Sequence, residues 1–174
     1  MPDTLSAELS LGLTWLLEDV LDTGTVADTS KLAFATSWRD GTAVDQADQL
    51  WHAQQTLAAS GVASLDLTSL ARSVFGGSLT VSFAKVKALV LVNLATTSGL
   101  DLLVGGAGAG GNGWGAPFNN NKDAKLVLPA DSALVLVNRK AGWTVTNGSS
   151  DVLKIENPQA SPITFKAALI GTTV

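Results

Sequence analysis

The only histidine in the chain, His52, is the first residue to consider for chemistry, because histidine serves both as a general base and as a metal ligand. A nucleophilic site would need it beside a Ser or Cys, with an acid to orient it. The sequence has no cysteine and no G-x-S-x-G elbow. A metal site would need several His, Cys or carboxylate ligands. His52 follows Trp51 in an apparent strand, which predicts a partly buried histidine at a strand edge.

Two pairs of acidic residues, Glu18 with Asp19 and Asp45 with Asp48, are the remaining candidates for acid chemistry. Glycoside hydrolysis needs two carboxylates held at a fixed separation in a cleft. Calcium loops have the denser spacing D-x-D/N-x-D/N-G, which these acids lack. We therefore predict no catalytic residue, no metal site and no cofactor, and a protein that is not an enzyme.

Residues 105–115 are unusual because seven of the eleven are glycine. Gly106, Gly108 and Gly111 fit the G-x-G-x-x-G pattern, but that motif cradles phosphate only between a strand and a helix. The Gly-Ala-Pro that follows does not favour a helix start. The segment instead predicts a long flexible loop anchored by Trp114 and Phe118, packed either on its own domain or on a neighbour.

The composition limits the classes of partner. Hydrophobic residues make up 46 % of the chain and charged residues 15 %, below the usual charged share of about 25 %. Such a surface is either rich in uncharged polar residues or partly covered by neighbours. With a net charge of −4 and scattered basic residues, we expect no direct contact with nucleic acid. We expect no membrane span either, and an acidic N-terminus indicates use without export.

Two regions can be distinguished along the chain. In residues 5–21 the spacing of Leu9, Leu13, Leu16 and Leu17 predicts an amphipathic helix over about 4–21, with Thr4 as N-cap. Residues 31–45 predict a short strand or extended arm that ends in a turn. We therefore divide the chain into a helix and arm over 1–45 and a β-sandwich domain over 46–174.

The second region reads as many short strands separated by turn signals about every ten residues. This pattern predicts an all-β fold, a jelly-roll-like antiparallel β-sandwich of eight or nine strands. The run at 85–94 is the most apolar and predicts a central strand. The strand-like runs are 50–57, 62–67, 79–83, 85–94, 100–104, 125–128, 133–137, 143–146, 152–155 and 163–170.

Large apolar side chains outside a clear core pattern are the candidates for an interface. The helix and the tryptophans near the boundary could dock the arm onto a sandwich, its own or a neighbour's, or could pack in a core. These candidates are Leu9, Leu13, Trp15, Leu16, Trp38, Trp51, Trp114 and Phe118.

Residues 30–174 contain a series of short segments that together form a pattern across the strands: Asp48-Gln-Leu-Trp-His52, Gln55-Thr-Leu-Ala-Ala59, Leu65-Asp-Leu67, Phe83-Ala-Lys-Val-Lys-Ala-Leu89, Gly115-Ala-Pro-Phe118, Leu134-Val-Leu-Val137, Gly142-Trp-Thr-Val-Thr146, Asp151-Val-Leu-Lys-Ile155 and 163–171. This pattern resembles small virion structural proteins of tailed bacteriophages.

What the resemblance implies is a head decoration (cement) protein, located in the virion and assembled in the host cytoplasm. Such proteins bind the major capsid protein or other virion proteins and clamp adjacent capsomers as homo-oligomers, with a trimer favoured. The predicted helix would then be a clamp or a trimerisation element. Two alternatives remain open: a tail, baseplate or fibre component, and a carbohydrate-binding β-sandwich in which Trp114 and Trp143 stack on sugar rings.

Overall fold

The computed structural model describes residues 4–74, 77–106 and 111–173. Within these ranges the chain forms β-strands and one short 3₁₀ helix, Ala116–Phe118, with no α-helix. The strands are β1 (Ala7–Leu21), β2 (Gly24–Trp38), β3 (Gln49–Leu57), β4 (Val62–Asp66), β5 (Leu70–Val74), β6 (Gly77–Val81), β7 (Lys85–Asn93), β8 (Leu102–Gly105), β9 (Lys125–Leu128), β10 (Ser132–Val137), β11 (Trp143–Thr144), β12 (Val152–Glu156) and β13 (Ile163–Thr172).

Two antiparallel sheets share one hydrophobic core. The first has the strand order β10-β7-β13-β3, with β11 also paired to β7, and the second has the order β4-β12-β8-β9. Buried side chains from both sheets, such as Leu89 and Phe165 from the first and Leu153 and Ile155 from the second, belong to a single apolar cluster. β5 and β6 form a separate small hairpin.

The strand sequences show why these residues form the sandwich. In β13, Phe165, Ala167 and Leu169 alternate with more exposed residues, so one face of the strand lies on the core. β7 lies between β10 and β13 and is apolar on both faces, as expected for a central strand. The prediction of an all-β domain is confirmed, and the ten strand-like runs correspond to β3, β4 and β6–β13.

The helix predicted over 4–21 is wrong, because the structure places β1 there. Apolar residues also occur at every second position from Leu5 to Leu17, and this period of two is that of a strand. Gly12 and Thr14 both lower helix propensity. The deciding factor is the partner strand β2, which pairs with β1 along its whole length.

β1 and β2 form a long hairpin, which we call the arm. Fifteen residue pairs connect the strands, from Ala7 opposite Trp38 to Leu21 opposite Gly24, and Asp22 and Thr23 make the turn. At 3.4 Å per residue the arm is roughly 50 Å long. The extended segment predicted over 31–45 coincides with the second half of β2 and with a connection that runs to β3.

Candidate functional site: the projecting arm

The register of the arm separates its side chains into two faces. Residues with odd numbers in β1 and even numbers in β2 share one face, which we call the apolar face. The opposite face has small or polar residues apart from Leu16 and Val20. Besides Trp38 at the root, the large apolar residues of this face with described side chains are Leu9, Leu11, Leu13, Trp15, Leu17, Val26, Leu32 and Phe34.

Most of the apolar face is open to solvent. Apart from Leu9 and Trp38 at the root, the large apolar side chains named above are between 40 and 68 % exposed. Trp15 is tethered across the face, because its indole Nε1 donates a hydrogen bond to the Asp28 carboxylate at 3.4 Å. Isolated apolar residues are common on protein surfaces, but a contiguous apolar patch of this kind marks an interaction site.

The root of the arm is fixed to the outside of the first sheet. Trp38 is buried there in a small cluster with Ala47 and Ala88, and Leu9 packs against this cluster together with Val137. The cluster is separate from the sandwich core and lies on the other face of β7. The arm therefore joins the domain through a defined apolar contact.

The connection between arm and sandwich is held by a buried lysine. Lys87 donates hydrogen bonds from Nζ to the carbonyl oxygens of Ala43 and Gln46, at 2.9 and 2.6 Å. It falls where the register between β7 and β13 shifts, beside Ala88. Burial lowers the pKa of its ammonium group, and the nearby Asp45 carboxylate opposes that shift. The arm is thus tied to the central strand by hydrogen bonds as well as by apolar packing.

Beyond its root the arm pairs with no other strand among the described residues. A two-stranded hairpin is marginally stable in water unless a third strand or a packed face supports it. Open strand edges and an open apolar face are features that proteins usually cover. The arm therefore has the properties of a docking element.

The candidates in the first region lie on the arm, but not on one face. Leu9, Leu13 and Trp15 are on the apolar face, whereas Leu16 is on the opposite face and is 60 % exposed. Trp38 is on the apolar face at the root, where it is buried against the sheet of its own domain. Leu13 and Trp15 are thus accessible in the part of the face that projects.

The other aromatic candidates belong to the sandwich. Trp51 is buried in the core, and its Nε1 donates a hydrogen bond to the Ala71 carbonyl at 2.8 Å. Trp114 is buried too, stacked edge-to-face on Trp143 at 6.3 Å. Phe118 is half-buried at the end of the 3₁₀ helix. Trp51 and Trp114 therefore pack within their own domain, and Trp114 is not open to a sugar ring.

The second half of the glycine-rich segment packs on its own domain. Trp114 donates its backbone N–H to Val152 at 2.8 Å, and the Asn112 side chain donates to the Asp151 carboxylate at 2.7 Å. Gly115 is required for close packing, since a Cβ there would lie 2.7 Å from the backbone of Asn121. Residues 107–110, including Gly108 of the G-x-G-x-x-G pattern, lie outside the described residues.

The residues considered for acid–base chemistry are not brought together. His52 lies on edge strand β3 and is exposed rather than partly buried. Asp45 pairs with Arg139 at 3.5 Å, and Asp48 accepts a hydrogen bond from the Thr173 amide at 2.8 Å. In the part of the chain that the structure describes, no three His, Cys, Asp or Glu side chains are grouped so that they could hold a metal ion. No described helix could span a membrane.

Several residues of the apolar face were not among the sequence candidates. The signal that could have found them is the alternation through residues 5–17, followed by a second alternating segment in which Leu32 and Phe34 face the same way. The omitted residues are Leu11, Leu17, Val26, Leu32 and Phe34.

Comparison with known proteins yields no match, either to a protein-family model or to a curated protein.

Proposed function

We propose that this protein is a non-enzymatic structural subunit of a tailed-bacteriophage virion, a head decoration protein that stabilises the shell by binding adjacent capsomers. The observation that carries this proposal is the arm, a long hairpin fixed at its root with an open apolar face. Proteins that hold large assemblies together bind through area rather than through a pocket. Because residues 30–174 resemble phage structural proteins, we propose that the particle is a phage virion and that the partner is its major capsid protein.

We also propose that the sandwich is a jelly roll, and the strand orders support this. Eight strands make up the paths β10-β7-β13-β3 and β4-β12-β8-β9. Numbered from one to eight along the chain, they give the orders 6-3-8-1 and 2-7-4-5. A jelly roll is a double sheet of eight strands made of two Greek keys, and it recurs in viral capsid proteins.

Rebinding to particles tests the proposed function. Purified protein is added to particles that lack it, and the bound copies are counted by cryo-electron microscopy. Copies ordered over the shell are the expected result. Copies at a single vertex or along the tail would reassign the protein to the tail apparatus, and no binding at all would refute the proposal.

Adjacent residues of the arm provide a matched pair of variants for this assay. Leu13 and Thr14 lie on opposite faces of β1, so Leu13→Glu and Thr14→Glu add the same charge at the same distance from the root. If the apolar face is used in assembly, Leu13→Glu lowers the number of bound copies and Thr14→Glu does not. Equal binding by both variants would show that attachment does not depend on this face.

A further inference from the structure

The outer face of the first sheet carries apolar side chains in rows that continue from the root of the arm. The first row, which includes Val137, Ala88 and Ile170, packs against the root cluster. The next two rows are not covered by the arm. They provide an apolar patch, which we call the strip, made of Val90, Val92, Ala133, Val135 and Ala168.

Three of the five strip residues line a shallow depression suited to apolar side chains. A concave site of about 290 Å³ is lined by Val90, Val92 and Ala168, with Lys166 and His52 at its border. The same face of the same sheet already binds the root of the arm through Trp38 and Leu9. The apolar surface that binds the root of the arm therefore continues onto the strip.

The arm of one molecule does not cover its own strip. Its seven projecting apolar side chains stay open to solvent, while the strip lies beside the root. The arm and the strip are therefore available to other molecules at the same time, which is the condition for a head-to-tail contact between copies.

We propose that the apolar face of the arm packs on the strip of a second copy of this chain. A second copy fits chemically, because the root of the arm already makes an apolar contact with the same sheet within one molecule. Charge agrees as well, since Asp19 and Asp28 lie on the apolar face towards the turn, and the exposed Lys166 lies beside the strip. A carboxylate and an ammonium group at the border of an apolar contact set its orientation.

The available area is sufficient for such a contact. Seven side chains with a full area of roughly 150 Å² each, about half of it exposed, offer about 500 Å² from the arm. With an equal area on the partner, made up of the strip and neighbouring residues such as Lys166, His52 and Gln54, one contact buries about 1,000 Å², the lower bound for a specific interface. In a closed ring each copy makes this contact twice, once with its arm and once with its strip.

This inference rests on the proposed function, since it identifies the neighbour that the arm binds, but its test needs no particles. Sedimentation velocity of the full chain at micromolar concentration measures the oligomer directly. We expect a closed oligomer for the wild type, and monomers for Leu13→Glu on the arm and for Val92→Glu on the strip. Thr14→Glu on the other face of the arm and Val127→Glu, at a valine that is 60 % exposed on β9, should remain oligomeric.

A mixing experiment identifies the two surfaces. Leu13→Glu keeps an intact strip and Val92→Glu keeps an intact arm, so an equimolar mixture should form dimers and nothing larger. If Val92→Glu does not fold, as judged by circular dichroism, Ala168→Glu takes its place on the same strip. An oligomer that is lost in Leu13→Glu but kept in both strip variants would mean that arms bind one another, and would overturn the inference.

Failure of this inference can be told apart from failure of the proposed function. A wild-type protein that is monomeric in solution overturns the head-to-tail contact. If that monomer still rebinds particles, and Leu13→Glu does not, the arm binds a shell protein and the proposed function stands. If the oligomer forms as expected but no particle is bound, the contact is real and the proposed function fails.

Discussion

Replacing Trp38 by Ala should release the arm and leave the sandwich folded. Trp38 is 1 % exposed, but it belongs to the small cluster with Ala47 and Ala88 on the outside of the sheet. Removing its ring leaves the core cluster around Leu89 untouched. A large-to-small change at a tryptophan costs about 3 to 5 kcal/mol when the site cannot collapse. The root is close to solvent and can relax, so we expect about 3 kcal/mol, a weakening of docking by a factor on the order of 100.

Hydrogen exchange measured by mass spectrometry separates docking of the arm from folding of the sandwich. In Trp38→Ala the amides of β1 and β2 should exchange faster, because an undocked hairpin is marginally stable. Peptides from β7 and β13 should keep their protection. Leu89→Ala, at a residue that is 0 % exposed in the core, should instead speed exchange in all four strands and lower the free energy of unfolding by about 2 to 5 kcal/mol.

The Trp38→Phe variant tests whether the arm is held by apolar packing of the Trp38 ring and not by its N–H group. Among the described residues Trp38 Nε1 has no hydrogen-bond partner although it is buried, so its loss removes an unpaired donor rather than a bond. Trp38→Phe should therefore keep the arm docked, with exchange close to that of the wild type. If Trp38→Ala leaves β1 and β2 protected, or if protection falls equally in β7 and β13, the root cluster is not an independent contact and the reasoning is refuted.

Three further substitutions, the last with a control at Gly12 on the arm, are tested by urea unfolding. Hydrogen bonds from the lysines at 154 and 125 lower the pKa of Glu156 from its usual 4.5. Glu156→Gln should therefore lower the free energy of unfolding near neutral pH. The variant and the wild type should become equally stable once the pH falls through that lowered pKa. Burial lowers the pKa of Lys87, so stability should rise with pH between that lowered pKa and 10.5, and Lys87→Met should abolish the rise. Gly115→Ala should cost about 1 to 3 kcal/mol through overlap with Asn121, whereas Gly12→Ala, with open space around it, should cost nothing.

The strands of the sandwich could be predicted from the sequence because their patterns are set by burial in a single core. Alternation in β13 and the apolar run in β7 each reflect the layer in which the strand lies. β5 was not predicted, because Leu70–Val74 has no long apolar run and Arg72 interrupts it. Its place depends on pairing with β6 and on the hydrogen bond from Arg72 to the Leu50 carbonyl at 2.9 Å. The pairing with β6 is local, but Leu50 lies 22 residues before Arg72, so the hydrogen bond that fixes β5 on β3 cannot be read from the local sequence.

The arm could not be predicted in the same way because its first strand fits two periods. Leu9, Leu13, Leu16 and Leu17 fit a helix, whereas Leu9, Leu13 and Leu17 together with Leu11 and Trp15 fit a strand. Short-range preference does not decide between them. What decides is the complementary segment after the turn, where Leu32 lies opposite Leu13 and Phe34 lies opposite Leu11. A hairpin has to be recognised from both strands at once.

The composition and the arm can be explained together. A chain with 15 % charged residues either spreads its apolar surface thinly or concentrates it where a neighbour binds. Among the side chains that the structure describes, nine of the fifteen exposed large hydrophobic residues lie on the arm, which is only part of the chain. The apolar surface is therefore concentrated, on a projecting element that cannot bury it against its own sandwich. Apolar area held on a long hairpin lowers the free energy only when a neighbour covers it, so the stability of the arm is coupled to assembly.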